Sequence, residues 1–353
     1  MRVLVTGAAG FIGSTVVDRL RAGGHEVVAL DVLLPLAHAG TPDWAVADLV
    51  RADVRDPGAL EPLLGGVDVV CHQAAMVGLG QDAQDAPDFV AHNVLGTAVL
   101  LAAMARAGVR RLVQASSMVV YGDGAYACSL DGAVRPSPRR PADVAAGRFD
   151  PRCPRCDGRL EWRPVVETDA LDPRTTYAVT KLAQEQLAAA WTTQAGGAAI
   201  SLRYHNVYGP RMPRDTPYAG VASLFRSANA DGRSARVFED GQQMRDFVHV
   251  DDVATANVLA LEQLVQSPSD RIGHVAYNIA SGDPRPIIDL AVRLAEVMQA
   301  PAPSVVGGGR PGDVRHVVAS AERAVHGLGF TARVRFDDGV ARFATDPMRA
   351  PVR

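Results

Sequence analysis

The sequence predicts an α/β fold: a doubly wound parallel sheet covered by helices on both faces, with a smaller α+β domain beside it. Three observations predict it. The first half alternates short β-branched runs with helical stretches, the βαβα order of a parallel sheet. The first of those runs enters a glycine-spaced turn, Gly7-Ala8-Ala9-Gly10-Phe11-Ile12-Gly13, which opens a helix. Beyond Val207 the rhythm loosens, and turns such as Gly209-Pro210, Met212-Pro213 and Thr216-Pro217 separate shorter elements.

Val3-Leu4-Val5 is the first strand, and Ile12 to Leu20 has helical spacing that Gly23-Gly24 ends. Glu26 to Leu30 makes the second strand, terminating at Asp31. Val67 to Cys71 and Arg111 to Ser116 are further apolar strands, each preceded by a helix, of which Phe89 to Ala107 is the clearest. Asp172 to Ala195 reads as a long amphipathic helix and Ala198 to Tyr204 as the strand after it. Arg245 to Leu264 is expected to return to the main sheet. The expected division is a Rossmann-type dinucleotide-binding domain over 1–204 plus 244–272, and a substrate domain over 205–243 plus 273–345. One stretch, 123–166, breaks the rhythm: it is rich in arginine and proline and carries Cys128, Cys153 and Cys156. A structureless loop of that length is rare in a compact domain, so the insertion carries either function or its own staple.

With 353 residues and 48% hydrophobic content, the chain can build one large or two modest cores. A net charge of −3 gives no bias toward nucleic acid or anionic lipid. The N-terminus is already a strand, and the longest apolar stretch, Ala98 to Ala105, falls short of the roughly 18 residues that span a bilayer. Neither nucleic acid nor membrane is therefore an expected partner. Four cysteines without a disulfide pattern point to a reducing, cytoplasmic setting.

Gly7, Gly10 and Gly13 stand between a strand and a helix, where glycine permits a tight turn and close approach of backbone to a pyrophosphate. The helix N-terminus adds unpaired N–H groups and the positive end of a dipole. The bland alternative is a turn that only packs helix on strand, and the placement of Asp31 at the end of the second strand argues against it. Its carboxylate can accept hydrogen bonds from adenosine ribose hydroxyls and repels a 2′-phosphate, so NAD is expected over NADP. No arginine lies in or beside the glycine loop to reverse that preference. Asp53, after a third strand, suits the adenine amino group. Tyr177 and Lys181 share a helix face at positions i and i+4, which sets an ammonium beside a phenol and favours the phenolate. Such a tyrosine next to a nicotinamide points to alcohol–ketone chemistry.

These pieces, in order, resemble the extended short-chain dehydrogenase/reductase family, in its nucleotide-sugar epimerase/dehydratase branch. The matching residues are Thr6 to Gly13, Cys71-His-Gln-Ala-Ala75, Ala115-Ser-Ser-Met-Val-Val-Tyr-Gly122, Tyr177 with Lys181, Arg203-Tyr-His-Asn-Val-Tyr-Gly-Pro210, Arg245 to Asp252 and Arg310-Pro-Gly-Asp313. The resemblance covers nearly the whole chain apart from the cysteine segment. It implies Tyr177 as the base, Lys181 as holder of the nicotinamide ribose and modulator of Tyr177, and Ser117 as partner of the reacting sugar hydroxyl. It implies Phe11, Ile12, Val54, Ala74, Ala75, Asn93, Ala115 and Tyr204 along the NAD site. Asn206, Arg245 and Arg310 would contact a sugar-nucleotide diphosphate, a task suited to the planar arginine fork. Plainer readings stay open: Ser117 as a strand-end cap, Asn93 as a buried amide satisfied by backbone, Arg245 paired with Asp246 or Asp252. His72, His205, His249 and His316 lack ligand spacing and read as structural or substrate-lining. The family resemblance also implies a homodimer through the Phe89–Ala107 and Tyr177 helices.

The family's shared first step is oxidation of the sugar at C4, with Tyr177 taking the hydroxyl proton. Its 4,6-dehydratases place an acidic pair after the Ser/Thr, where this chain has Met118 and Val119. Neither can shuttle a proton, so the expected outcome is C4 epimerisation, with NAD bound tightly and regenerated each turnover. Members with a similar cysteine-bearing insertion resemble enzymes that interconvert dTDP-L-rhamnose and dTDP-6-deoxy-L-talose, and that pair is the favoured substrate. UDP-glucose/UDP-galactose epimerisation, 4-ketosugar reduction and a catalytically silent NAD-binding regulator are the alternatives. Pocket shape around Val77 to Leu79, Tyr218 to Ser223 and Val237 to Gln242 would decide among sugars. In the insertion, Cys153-Pro-Arg-Cys156 has half the spacing of a structural zinc site, and Cys128 could add a third thiolate. Asp131 is the candidate fourth ligand, where similar insertions carry histidine; the alternative is three free thiols. Cys71 ends an apolar strand and reads as core.

Overall fold

The computed structural model describes residues 1–78, 82–214, 220–267, 273–309 and 313–350. In chain order its strands begin β1 Arg2–Thr6, β2 Glu26–Asp31, β3 Val50–Arg51, β4 Val69–His72 and β5 Arg111–Ser117. The insertion contributes β6 Ala125–Cys128, β7 Gly132–Val134 and β8 Leu160–Arg163. After it come β9 Ala198–Tyr204, β10 Asn206–Tyr208, β11 Arg236–Phe238, β12 Met244–His249, β13 His274–Ile279, β14 Pro284–Pro286 and β15 Ser304–Gly307.

Among the described residues, seven strands form the main sheet in the order β13-β9-β5-β4-β1-β2-β3, and every pairing in it is parallel. Alternation along β1 explains why both faces need cover. Val3 and Val5 point into one apolar layer, with Val16 and Leu20 of the Phe11–Ala22 helix and Val253 and Leu261 of the Val250–Gln266 helix. Leu4 points into the other, with Leu100, Met104 and Trp191. Chain order reverses between β1 and β4, and a doubly wound sheet opens its crevice at such a point. The expected Rossmann-type fold is what forms.

The border between the two units differs from the expected one. β13 belongs to the main sheet as its edge strand, whereas 273–345 was assigned to the substrate domain. β12 pairs with β10 and β14 in a three-stranded sheet, whereas 244–249 was assigned to the nucleotide domain. Among the described residues of that stretch, the Val250–Gln266 helix packs on the main sheet. Both strands are short and buried, so their composition does not say which sheet each joins; distant registers decide. The smaller unit packs Phe225, Val237, Leu290, Leu294 and Phe343 into its own core.

The insertion is folded: β7-β6-β8 is an antiparallel sheet over Tyr126, Cys128, Cys153 and Leu160. The expected Phe89–Ala107 helix starts earlier, and the helical run Ala83–Ala107 has 25 residues, long and apolar enough by length and composition to span a bilayer. Here it lies against the sheet, burying Phe89, Leu100, Leu101 and Met104. The run includes a π-helical stretch, Val90–Leu95, a wider turn that often marks functional sites.

Candidate active site

The turn after β1 is built for close approach. Gly7 has φ +68°, and a Cβ there would come within 2.7 Å of the Ala74 backbone nitrogen. A Cβ at Gly13 would meet the Gly7 carbonyl oxygen at 2.0 Å. No side chain caps the Phe11–Ala22 helix and no acid sits in its first turn, so its first N–H groups are left for an anion. Asp31, at the end of β2, accepts from Ala9 N at 3.0 Å and from Leu33 N at 2.8 Å, tying the glycine loop to the next strand.

A cleft of about 250 Å³ opens there. Gly7, Gly10, Phe11, Ile12, Gly13 and Asp31 form one side of it. Asp53, Val54, Ala74, Ala75, Ala115, Tyr177, Lys181 and Tyr204 continue the wall. This glycine cradle, open helix end and strand-end carboxylate fit a dinucleotide. Asp53 reaches the wall already gripped by Arg55, with contacts of 2.6 and 3.0 Å. Asn93 is the exception. It is fully buried behind the wall, accepting from Met76 N at 2.7 Å and donating to Met76 O at 2.9 Å and Thr180 Oγ1 at 3.0 Å. Its amide is satisfied by the protein, so it positions the Tyr177 helix and does not line the cleft.

The sequence reading missed the arginine at this cleft. Arg349 is buried on its wall beside Asp31, held by backbone pairing of 347–349 with 211–213: Arg349 N donates to Met212 O at 3.1 Å and Arg211 N to Pro347 O at 2.6 Å. The expectation of no arginine near the glycine loop is true along the chain and untrue in space. His38 joins the same wall. No local motif signals either residue.

Tyr177 and Lys181 lie in the first turns of the Thr176–Ala195 helix, which Thr175 caps by accepting from Ala178 N at 3.2 Å. Lys181 Nζ donates to the Ala115 carbonyl at 3.0 Å and stands 6.0 Å from the Tyr177 ring centre. Burial pushes the Tyr177 phenol up to about 12, opposed by a hydrogen bond with Ser117. The ammonium was expected to bring the phenol down. Burial instead sets the phenol, opposed by the Ser117 hydrogen bond, and it lowers Lys181 itself to about 7, with Glu185 pulling the other way. Ser117 ends β5 between Ser116 on the first cleft and Met118 on a second, and its hydroxyl also accepts from Val119 N at 3.4 Å.

Lys181 carries a pH prediction. Its folded value lies near 7 and its unfolded value near 10.5. Between them the unfolded chain binds the extra proton, so the stability of the cofactor-free protein rises with pH across that window. Urea midpoints measured from pH 7 to 9 should climb in the wild type and climb less in Lys181→Met; equal slopes would refute the assignment.

The second cleft, about 570 Å³, meets the first at Tyr177. Asn206 and Arg245 are on its wall, and among the described residues Asn206 Oδ1 is buried with no hydrogen-bond partner. Arg245 does not pair with Asp246 or Asp252: those carboxylates accept from Ser281 and Gly282 N, and from Arg333 and Val334 N. Its guanidinium instead donates to the carbonyls of Met244, Val314 and Arg315 at 2.7–2.9 Å, and burial lowers it to about 10. Arg174, Arg233 and Arg236 line the same cleft and were not singled out in the sequence. Arg174 pairs with Asp172 at 2.5 Å and Arg233 with Asp231 at 2.8 Å, and their planar forks are of the kind that binds a diphosphate. Met118 and Val119 also line it, so no carboxylate follows Ser117. Arg310, Leu79 and Tyr218 lie outside the described residues. His72 is fully enclosed between Thr6 and Thr97, and burial lowers it to about 3, which keeps it neutral and structural.

Comparison with known proteins agrees with this arrangement. The chain is 34% identical over 98% of its length to the dTDP-L-rhamnose 4-epimerase of Burkholderia thailandensis, covering 94% of that protein. It is 32% identical to the UDP-glucose 4-epimerase of Mycolicibacterium smegmatis, covering 97% of each. The crystal structure of Thermus thermophilus UDP-glucose 4-epimerase in complex with NAD superposes with a TM-score of 0.75 at 29% identity, covering 98% of both chains. A model of the NAD dependent epimerase/dehydratase family matches residues 3–141 and 158–280, leaving out 142–157, the part of the insertion that holds Cys153 and Cys156. The chain belongs to the NAD dependent epimerase/dehydratase family.

Proposed function

We propose that this chain, an NAD-dependent nucleotide-sugar 4-epimerase, acts on dTDP-L-rhamnose and inverts it at C4 to dTDP-6-deoxy-L-talose. The observation that carries epimerisation is Tyr177, shared by two clefts, one fitted to a dinucleotide and one walled by arginines. NAD, when bound, accepts a hydride from the sugar C4 and returns it. The protein does the rest. Ser117 orients the C4 hydroxyl, Tyr177 takes its proton as the carbonyl forms and gives it back after the keto sugar has turned, and Lys181 holds the ribose end. Arg245, Asn206 and Arg310 hold the diphosphate. Met118 and Val119 offer no second proton path, which supports epimerisation over dehydration.

The relative at 34% identity favours the deoxysugar, and the UDP-glucose epimerase at 32% supports the competing reading. A homodimer through the Ala83–Ala107 and Thr176–Ala195 helices and a cytoplasmic setting belong to the same proposal. Val90, Leu95 and Val179, three of the exposed large apolar side chains, lie on those two helices. The test is NMR of dTDP-L-rhamnose, UDP-glucose and UDP-N-acetylglucosamine, each incubated separately with enzyme and no added cofactor. The expected result is C4 inversion of dTDP-L-rhamnose well above the others. Inversion of UDP-glucose at higher kcat/KM would replace the substrate, and no inversion of any would favour a silent NAD-binding protein. Sedimentation of the same sample reads monomer or dimer.

A further inference from the structure

The insertion brings Cys128, Asp131, Cys153 and Cys156 together from two separate turns, with one ligand atom of each within 4.8 Å of all the others. Cys128 Sγ stands 3.4 Å from Cys156 Sγ and 3.5 Å from Asp131 Oδ2, and Cys153 Sγ stands 3.1 Å from the same oxygen. A zinc ion with bonds of about 2.3 Å to sulfur and 2.0–2.2 Å to oxygen sets tetrahedral edges of roughly 3.5–3.8 Å. The separations are close to those edges. They are far from the roughly 2.05 Å of a disulfide. The backbone supports the same geometry: Asp157 N donates to Cys153 O and Cys153 N to Gly158 O, both at 2.9 Å, folding the Cys153–Cys156 turn back on itself. The core of this unit is small: Tyr126, Cys128, Cys153 and Leu160, two of them cysteine, with Val134 and Trp162 packed against them, so a metal crosslink would add much to its order.

We propose that Cys128, Asp131, Cys153 and Cys156 bind a structural zinc ion that fastens the insertion against the wall of the second cleft. All four positions are filled by protein, which leaves no open coordination site and makes the metal structural. The fastening runs through named contacts. Tyr126 Oη accepts from His316 N at 3.3 Å, Arg139 donates to the Asp313 carbonyl at 2.6 Å, and Asp150 binds Arg315 at 2.8 Å. Val165 N donates to Val318 O at 2.8 Å, and Ser320 N returns a bond to Val165 O. Residues 313–317 in turn supply the Val314 and Arg315 carbonyls that aim Arg245. Losing the metal therefore loosens the wall without touching Tyr177.

The site itself stands apart from the proposed epimerase reading; its effect on substrate affinity rests on that reading. Purified full-length protein, analysed by inductively coupled plasma mass spectrometry, should hold about one zinc per chain. Cobalt exchanged into it should give the thiolate-to-metal absorption of a tetrahedral site. Cys153→Ser and Asp131→Ala should lose the metal, and Asp131→Cys should keep it. In the metal-free variants KM for the sugar nucleotide should rise about tenfold while kcat changes less than threefold. Less than 0.2 zinc per wild-type chain, or a Cys128–Cys156 disulfide found by peptide mapping, would overturn the site whatever the substrate. Full zinc with unchanged KM on its removal would overturn the fastening alone.

Discussion

Tyr177→Phe should leave the protein folded and able to hold NAD, yet slow C4 inversion about 10²–10⁴-fold, the range a positioned acid–base group supplies. The ring survives the change, so its tilted contact with Phe89, at 6.1 Å between centres, is kept. What disappears is one oxygen whose protein partner is Ser117. That hydroxyl still accepts from the Val119 N–H, which keeps its oxygen in place. The phenol starts near 12 because it is buried. On the proposed reading each turnover generates phenolate, which Lys181 favours only while charged, below its value near 7. The wild-type rate should accordingly depend on pH through the neutral range, where phenolate gains and Lys181 loses its charge, and that dependence should flatten in Tyr177→Phe. NMR inversion rates at pH 6 to 9, with retained NAD quantified after denaturation, make the measurement. Activity within tenfold of wild type would remove Tyr177 from the chemistry.

The parts of this site legible in the sequence are those whose geometry is local. The glycine turn, Asp31 at a strand end and the Tyr177–Lys181 pair each need only a few neighbouring residues to define them, and all of them reach the first cleft. Met118 and Val119 were readable for the same reason. What escaped reading depends on contacts between distant segments. β12 and β13 look alike as short apolar runs, and only their registers assign them to different sheets. Arg245 is near its expected place, but three carbonyls and no carboxylate hold it, two of them from a segment seventy residues on. Arg349 meets Asp31 only because the C-terminal segment pairs with 211–213. Asn93 shows the opposite limit: a residue at a family position can serve the fold beneath the site while the cleft passes it by.

Glu185→Gln should cost about 3–5 kcal/mol of stability, the usual penalty for stripping one partner from a buried ion pair. Glu185 and Arg203 are both almost fully buried and form a two-pronged pair, Nη2 to Oε2 at 2.8 Å and Nε to Oε1 at 3.0 Å. Ser116 donates its hydroxyl to the same carboxylate. Arg203 further donates to Tyr121 Oη at 2.8 Å and stacks over that ring at 5.1 Å, so it cannot swing to water when its partner goes. The expected fall in melting temperature is on the order of 4–7 °C for a chain of this size. Replacing both partners, as Glu185→Gln with Arg203→Met, should recover much of the loss, because the uncompensated charge is gone. The same substitution reaches the chemistry from behind. Glu185 lies one helical turn after Lys181 and favours its ammonium, so without it Lys181 drops below its present value near 7 and loses its charge at a higher proton concentration. Inversion by Glu185→Gln should therefore depend on pH differently from the wild type at temperatures where both remain folded. A melting temperature within 2 °C of wild type would show that this pair contributes little, and an unshifted pH profile would separate it from Lys181.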